Sequence, residues 1–368
     1  MKFTISQKNI PKDWQVKELK EVCNIDFGTR IVKSKVIPGD FYVYGGGDKT
    51  FKTNEYNREN CVIISRFAMS PLCVRFVKGK FYLNDSGLSL SILDSRILDQ
   101  NFIDQLLLTS QNEIYKLGRG VAQKNLNVED FKKINLILPP LPEQKKIATI
   151  LTSLDDEIKK VGEMIEKSED MKKGLIKNFL KNFNKEKMVS LDFVCISITA
   201  GGDLPEDYNK NQLIPSEEFK YPIYSNGIDS KSLYGFSKDY KINEDAITIS
   251  ARGTIGYHTI RKANFTPIIR LITLIPNKDI ISIYYLNYIL DLVKIEHSGG
   301  GIPQLTVPNV KKIKIPLVSK DKQKQIAEIL GSIDKKIEMY KKLKNKLLEL
   351  KKGVSGDLLS GKVRVNLK

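Results

Sequence analysis

The stretch LPPLPEQKKIATIL, Leu138 to Leu151, has an echo late in the chain, IPLVSKDKQKQIAEIL, Ile315 to Leu330. Ile147-Ala148 matches Ile326-Ala327, Ile150-Leu151 matches Ile329-Leu330, Ser153 matches Ser332 and Asp155 matches Asp334, all at one offset of 179 residues. Ile158 with Ile337, and Lys172-Lys173-Gly174 with Lys351-Lys352-Gly353, keep that offset. Self-similarity at a fixed period is the signature of a repeated structural unit.

Upstream the likeness weakens but keeps its order. Leu19, Val22 and Cys23 resemble Leu191, Val194 and Cys195, YVYGGGD from Tyr42 resembles PIYSNGI from Pro222, and CVIISR from Cys61 resembles AITISAR from Ala246. GVAQKNLNVEDFKKINL from Gly120 resembles GIPQLTVPNVKKIKIPL from Gly301. The chain therefore reads as a tandem duplication, each half a globular region followed by a long helix.

After the brake Pro139-Pro140-Leu141-Pro142, apolar residues recur at Ile147, Leu151, Leu154, Ile158, Val161 and Ile165. Ile326, Leu330, Ile333, Ile337 and Tyr340 repeat the pattern, continued loosely by Leu343, Leu347, Leu350 and Val354. A 3-and-4 spacing places each set on one helix face, and neither stripe can bury itself alone. The two helices are expected to pair as a coiled coil, antiparallel because the second globular region joins the end of one to the start of the other. Residues 143 to 183, about 41 of them, would span roughly 60 Å at 1.5 Å per residue.

Short β-branched runs such as Val62 to Ser65, Ile247 to Ser250 and Leu271 to Pro276 predict strands, and Asn101 to Ser110 and Ile283 to Lys294 predict helices, so the heads read as mixed α/β. The expected layout is two similar α/β (α+β) heads at opposite ends of an antiparallel two-helix coiled coil, with an approximate two-fold axis. Its parts are residues 1–142, the central helix 143–184, residues 185–320, and the distal helix with its tail, 321–368.

Sixty Lys and Arg against 43 Asp and Glu leave a formal charge of +17 over 368 residues, which favours a polyanionic partner such as nucleic acid. Cys23, Cys61, Cys73 and Cys195 form no C-x-x-C pair, and the histidines are His258 and His297, so neither a disulfide framework nor a structural zinc is suggested. No G-x-S-x-G or H-E-x-x-H is present, and Gly356-x-x-x-x-Gly361-Lys362 ends in Val363, without the Ser or Thr of a phosphate loop. No apolar run reaches about 18 residues and the first residues lack a secretory segment. The expectation is a cytoplasmic protein without a membrane segment.

A basic object with two separated heads suits the reading of two half-sites on one duplex, which lie about 34 to 36 Å apart or multiples of that. The heads differ more than the helices, so two unlike half-sites are expected. LPPLPEQKKIATILTSLDDEI, its echo KDKQKQIAEILGSIDKKIE, the turn YGGGD and the closing LLSGKVRV resemble the specificity (S) subunit family of Type I restriction-modification enzymes over nearly the whole chain. The second helix departs from the pattern at VSKDKQ, where LPPLPEQ would stand. The resemblance implies a non-catalytic subunit that recognises a bipartite sequence in double-stranded DNA. It also implies partnership with two methyltransferase (M) subunits and with endonuclease/translocase (R) subunits. S-adenosylmethionine, ATP and Mg would then belong to those partners. The competing reading is a coiled-coil scaffold whose heads bind proteins and whose basic charge is incidental.

Candidate contacts cluster where the halves echo each other. Gly45, Gly46 and Gly47 beside Tyr44, with Lys49 after them, either admit a phosphate or aromatic contact or form a turn that needs positive φ. In the second half Tyr224, Asn226 and Lys231 take that place, and an Asn amide can pair with an adenine edge. Arg66 and Arg252 each follow a comparable strand and suit guanine, a phosphate or an internal ion pair. Gly118 to Asn125, with Arg119 and Lys124, faces Gly299 to Gln304, and the shared Gln123 and Gln304 either read adenine or tie the head to its helix. Lys159, Lys160, Lys172, Lys173, Lys335, Lys336 and Lys341 flank the helical stripe as a solvated face or as attraction for spacer DNA.

Overall fold

The structure, a computed structural model, describes residues 10–182, 187–293 and 304–366. Contacts divide the chain into two compact units, Met1–Glu163 with Lys341–Lys368, and Met164–Tyr340. The cuts fall inside the long helices and not at their starts.

In the first unit, β1 (Gln15–Glu18), α1 (Leu19–Val22), β2 (Cys23–Phe27), β3 (Phe41–Tyr44) and β4 (Lys52–Thr53) are followed by β5 (Arg58–Ser65), β6 (Val74–Leu83) and β7 (Gly87–Ile92). Then come α2 (Gln100–Thr109), α3 (Gln111–Lys116), β8 (Gly118–Arg119), β9 (Asn125–Leu126), α4 (Val128–Lys132), β10 (Asn135–Leu138) and the start of α5 (Leu141–Asn182). The six-stranded sheet has the order β2-β7-β5-β6-β3-β4, antiparallel except for β3 beside β6. A separate ladder pairs β1 with β10, Gln15 opposite Leu138.

The second unit repeats this path with β11 (Lys187–Ser190), α6 (Leu191–Val194), β12 (Cys195–Ala200), β13 (Tyr208–Lys210), β14 (Tyr221–Tyr224) and β15 (Leu233–Ser237). It continues through β16 (Ala246–Ile249), β17 (His258–Arg261), β18 (Thr266–Pro267), β19 (Ile272–Pro276), α7 (Ile283–Leu290), α8 (Val307–Lys312), β20 (Lys314–Leu317) and α9 (Lys320–Leu359). Its ladder, β11 with β20, sets Lys187 opposite Leu317. Two four-stranded sheets, β12-β19-β16-β17 and β13-β15-β14-β18, replace the single sheet of six. Besides the added strand β13, which pairs with β15, the difference has one local source. The ten residues of β6 run unbroken, whereas their counterpart breaks into β17 and β18 around Asn264, which turns the chain with φ +66°. Both halves keep the parallel pairing beyond that point, Val43 with Tyr82 and Ile223 with Thr266.

The helix predicted from residue 101 runs Gln100–Thr109, and that predicted from 283 ends at Leu290, with Lys294 outside the described residues. The central helix starts inside the proline run. Pro142 sits in the first turn, where a missing N–H is harmless, and the Pro140 carbonyl accepts from the Glu143 and Gln144 N–H groups at 2.9 and 3.1 Å. The distal helix has no such prolines. Its first turn closes instead on the Ser319 carbonyl, 2.9 Å from the Gln323 nitrogen.

Gln144 and Gln323, 179 residues apart, explain why the departure at VSKDKQ is tolerated. Gln144 is fully buried. Its Oε1 accepts from the Asp99 N–H at 2.9 Å, and its Nε2 donates to the carbonyls of Ile97 and Pro139 at 2.9 and 2.8 Å. Gln323, also buried, takes the Ser282 N–H at 2.7 Å and donates to the Ile280 and Val318 carbonyls at 3.1 and 2.9 Å. In each unit one side chain thus ties the helix start to the loop before α2 or α7.

Each helix then enters its head's core. Ile147, Ala148, Leu151, Leu358 and Leu359 join Leu19, Ile64, Leu88, Phe102 and Phe131 in the first unit. Ile326 and Leu330 join Leu191, Ile247, Leu274, Tyr285 and Val310 in the second, with Leu175, Ile176 and Phe179 packed against them. Val161 and Ile165 are buried, Leu154 and Ile158 half-buried, and Ile165 clusters with Ile333 and Ile337, flanked by Tyr340. The loose continuation of the stripe needs correction. Leu343 and Leu350 are exposed, and the partly buried face passes through Lys344, Leu347, Lys351 and Val354.

Within the first unit α5 and α9 run antiparallel: Asp155 binds Lys351 and Glu143 binds Arg364. The second unit repeats the Asp155 arrangement with Asp334 and Lys172 at 2.8 Å. The head reaches each of these carboxylates too, through Gln105 at 3.0 Å and through the Tyr288 hydroxyl at 2.7 Å.

Candidate nucleic-acid interface

In the first unit the segments that echo the second half converge at one end of the strands of the sheet. Tyr44 ends β3 with its ring edge-on to Phe81, centroids 5.4 Å apart, so its body is packed against the protein. Gly45 and Gly46 do not have positive φ. Their need is space, because a Cβ on Gly45 would stand 2.8 Å from Ser86 Oγ and one on Gly46 2.6 Å from the Phe67 carbonyl. The close approach is thus to the chain's own loops, while Gly47 faces open space. Ser65 Oγ donates to the Gly46 carbonyl and Arg75 to that of Gly47.

Arg66, just past the interior strand β5, lies at the centre of this cluster. Its N–H donates to the Ser86 carbonyl and its own carbonyl accepts from the Leu126 N–H, both at 2.8 Å. The guanidinium sits 4.8 Å from the Phe27 ring and 4.7 Å from the Phe67 ring, donating weakly to the Asp85 carbonyl at 3.5 Å. No carboxylate neutralises it among the described residues. Both rings are well exposed, as are Leu72 and, at the tip between β8 and β9, Val121. An uncompensated arginine among exposed rings can offer both charge and a flat face to a nucleic acid. Sequence reasoning missed Phe27 and Phe67, which carry no echo in the second half.

Other candidates are engaged within the protein. Arg119 is ion-paired with Asp130 at 2.6 Å, Lys124 lies 4.3 Å over Tyr115, and Lys49 lies 4.7 Å over Tyr42 near Lys52.

The second unit converges in the same way with other side chains. Tyr224 stands edge-on to Phe265 at 5.8 Å, as Tyr44 does to Phe81, and the Arg261 guanidinium lies 3.8 Å over its ring. Asn226, the candidate adenine contact, is tied into the turn it stands on. Its Oδ1 accepts from the Ala251 N–H and its Nδ2 donates to the Ile269 carbonyl, both at 2.7 Å, so the amide is held in one orientation with one lone pair and one N–H still free. Lys231 is exposed on a short 3-10 turn, Asp229–Ser232.

The pairing of Arg66 with Arg252 also shifts. Leu305 N–H donates to the Ala251 carbonyl as Leu126 N–H does to that of Arg66, so Ala251 is the counterpart of Arg66 and Arg252 that of Phe67. Arg252 is exposed and donates to Gln304 at 3.0 Å. By the same hydrogen bonds Gln304 corresponds to Asn125 and not to Gln123, which is exposed. Gly299 to Pro303 and His297 lie outside the described residues. His258 is held between the carbonyls of Gly256 and Asn287, both at 3.0 Å, and burial pushes the Cys23 thiol up to about 12. Among the described residues no group of three or more His, Cys, Asp and Glu is placed to hold a metal, and no helix is long and apolar enough to cross a membrane.

Residues 11–167 and 203–349 match the Type I restriction modification DNA specificity domain, once in each half, and the chain belongs to that family. It is 28% identical over 329 residues to a Mycoplasma pneumoniae protein whose name places it among type I specificity subunits, covering 86% of this chain and 88% of that one. The Methanocaldococcus jannaschii type I restriction enzyme MjaVIII specificity subunit is 27% identical over 332 residues, covering 78% of this chain and 77% of its own. The fold matches the crystal structure of the S subunit from a Type I restriction-modification system of M. genitalium, with a TM-score of 0.72 at 21% identity, over 96% of this chain and 98% of that one.

Proposed function

We propose that this specificity subunit, itself without catalytic activity, reads a split and asymmetric DNA target, one half with each head. The observation that carries the reading is a frame kept twice, in ladders, helix anchors and aromatic pairs, whose convergent loops present different side chains. Arg66 between Phe27 and Phe67 in one head stands against Arg252 with Gln304 in the other. A shared frame with unlike readers calls for unlike half-sites. The paired helices set the unread gap and carry methyltransferase and endonuclease subunits in the cytoplasm, and S-adenosylmethionine, ATP and Mg are bound by those partners.

The test is to express the chain with its methyltransferase subunit, let the complex modify a random-sequence DNA library, and sequence the modified adenines. Two unlike short motifs around a fixed gap are expected. A complex that assembles and modifies DNA without a split motif would leave the scaffold reading in its place. A steep loss of DNA binding with rising salt separates the two as well, since phosphate contacts release counterions.

A further inference from the structure

Ile269 and Arg270 in the second unit are consecutive non-glycine residues in the left-handed region, with φ +52° and +60°. A β-branched residue is especially disfavoured there, and such strain persists only where the surroundings over-determine it. Here they do. Ile269 N–H donates to the Gly202 carbonyl at 2.9 Å, Arg270 N–H to the Gly201 carbonyl at 2.8 Å, and Asn226 Nδ2 clamps the Ile269 carbonyl at 2.7 Å. The result is two exposed side chains on a rigid turn, and among the described residues that of Arg270 has no hydrogen-bond or ion-pair partner.

The first unit has the equivalent turn at Asp85 and Ser86. Asn84 N–H donates to the Tyr44 carbonyl there as Ile268 N–H does to that of Tyr224, and Gly28 N–H to Gly87 as Gly201 N–H to Leu271. That turn contains no left-handed residue and no arginine. It receives a guanidinium from Arg66, whose counterpart in the second unit is alanine. Both heads therefore bring an arginine to the same turn, one from the strand end and the other from the turn itself.

We propose that Arg270 is a specificity-determining residue of the second head, its guanidinium hydrogen-bonding to O6 and N7 of a guanine in that head's half-site. A planar fork on an over-determined backbone suits bidentate base recognition, whereas a phosphate contact asks only for charge and tolerates lysine. The assignment rests on the proposed reading of DNA by each head.

The test applies the library assay to the methyltransferase complex carrying Arg270→Gly, Arg270→Lys or the native chain. Glycine removes the side chain at a backbone conformation it adopts freely, so the variant folds without new strain. Guanine preference at one position of one half-site should fall roughly 10- to 100-fold in Arg270→Gly, with lysine, which also reaches O6 and N7, recovering at most part of it and the other half-site unchanged. Uniform weakening across all positions that lysine restores would overturn the proposal in favour of a phosphate contact, and an unchanged motif would overturn it outright. A native complex without a split motif would instead defeat the broader reading, so the two failures are distinguishable.

Discussion

Replacing Gln144 with Ala removes a side chain that joins the start of α5 to the loop before α2. The Asp99 N–H and the Ile97 and Pro139 carbonyls lose their partner, the bond to Pro139 being buried and the other two part-buried. Each buried group left unpaired costs about 1–3 kcal/mol, and some hydration of the vacated space lowers the sum, so about 3–5 kcal/mol is expected. That is a large fraction of the ~5–15 kcal/mol that stabilises an ordinary domain. The loss should be local. Hydrogen exchange followed by mass spectrometry should show faster exchange around residues 97–103 and 139–147, with the region around 280–286 unaffected, and Gln323→Ala should give the mirror result. Gln144→Glu at neutral pH should be at least as damaging, because a carboxylate would face two carbonyls. A denaturant-measured loss below about 1 kcal/mol, or equal loosening of both units from one substitution, would refute the anchoring argument.

Three further outcomes follow from local geometry. Burial raises the Asp104 carboxyl to about 6, with Gln100 opposing and Asp99 adding to the rise, so its contribution to stability is full at low pH, below the unfolded carboxyl range, and is lost as pH climbs through 6. Asp104→Asn should abolish that part of the pH dependence and raise stability at pH 8 by about 1–3 kcal/mol, measured by denaturant titration at pH 5 and pH 8. Arg364 binds both oxygens of the buried Glu143, at 2.8 and 2.7 Å, and also pairs with Asp13. Arg364→Ala should cost about 2–4 kcal/mol by leaving a buried carboxylate with only the Trp14 indole, and adding Glu143→Gln should recover part of the loss in a double-mutant cycle. Inserting one heptad in each paired helix adds about 10 Å, which should lengthen the tolerated spacer in the library assay by about three base pairs with both half-sites intact.

The amino-acid sequence by itself determined the duplication, the two helices and their apolar faces, because these rest on periodicity and on the local behaviour of proline. The predicted start at Glu143 lies two residues from the observed Leu141, and Ile147, Leu151, Ile326 and Leu330 are buried as their spacing required. The same local signals failed where a side chain's partner is distant in the chain. Nothing near Asn226 in the sequence showed that it would bridge Ala251 and Ile269, and Arg252 looked equivalent to Arg66 until backbone hydrogen bonds placed Ala251 there. Leu343 and Leu350 fitted a loose apolar rhythm, yet Asp155 draws Lys351 inward and the helix presents another face. Gln144 and Gln323 stood in plain view at the common offset, but a glutamine's importance depends on three backbone groups meeting around it. Only the tertiary structure decided these points, since propensity and spacing act over a few residues while hydrogen-bond partners and steric close approach are set by convergence of segments far apart in the chain.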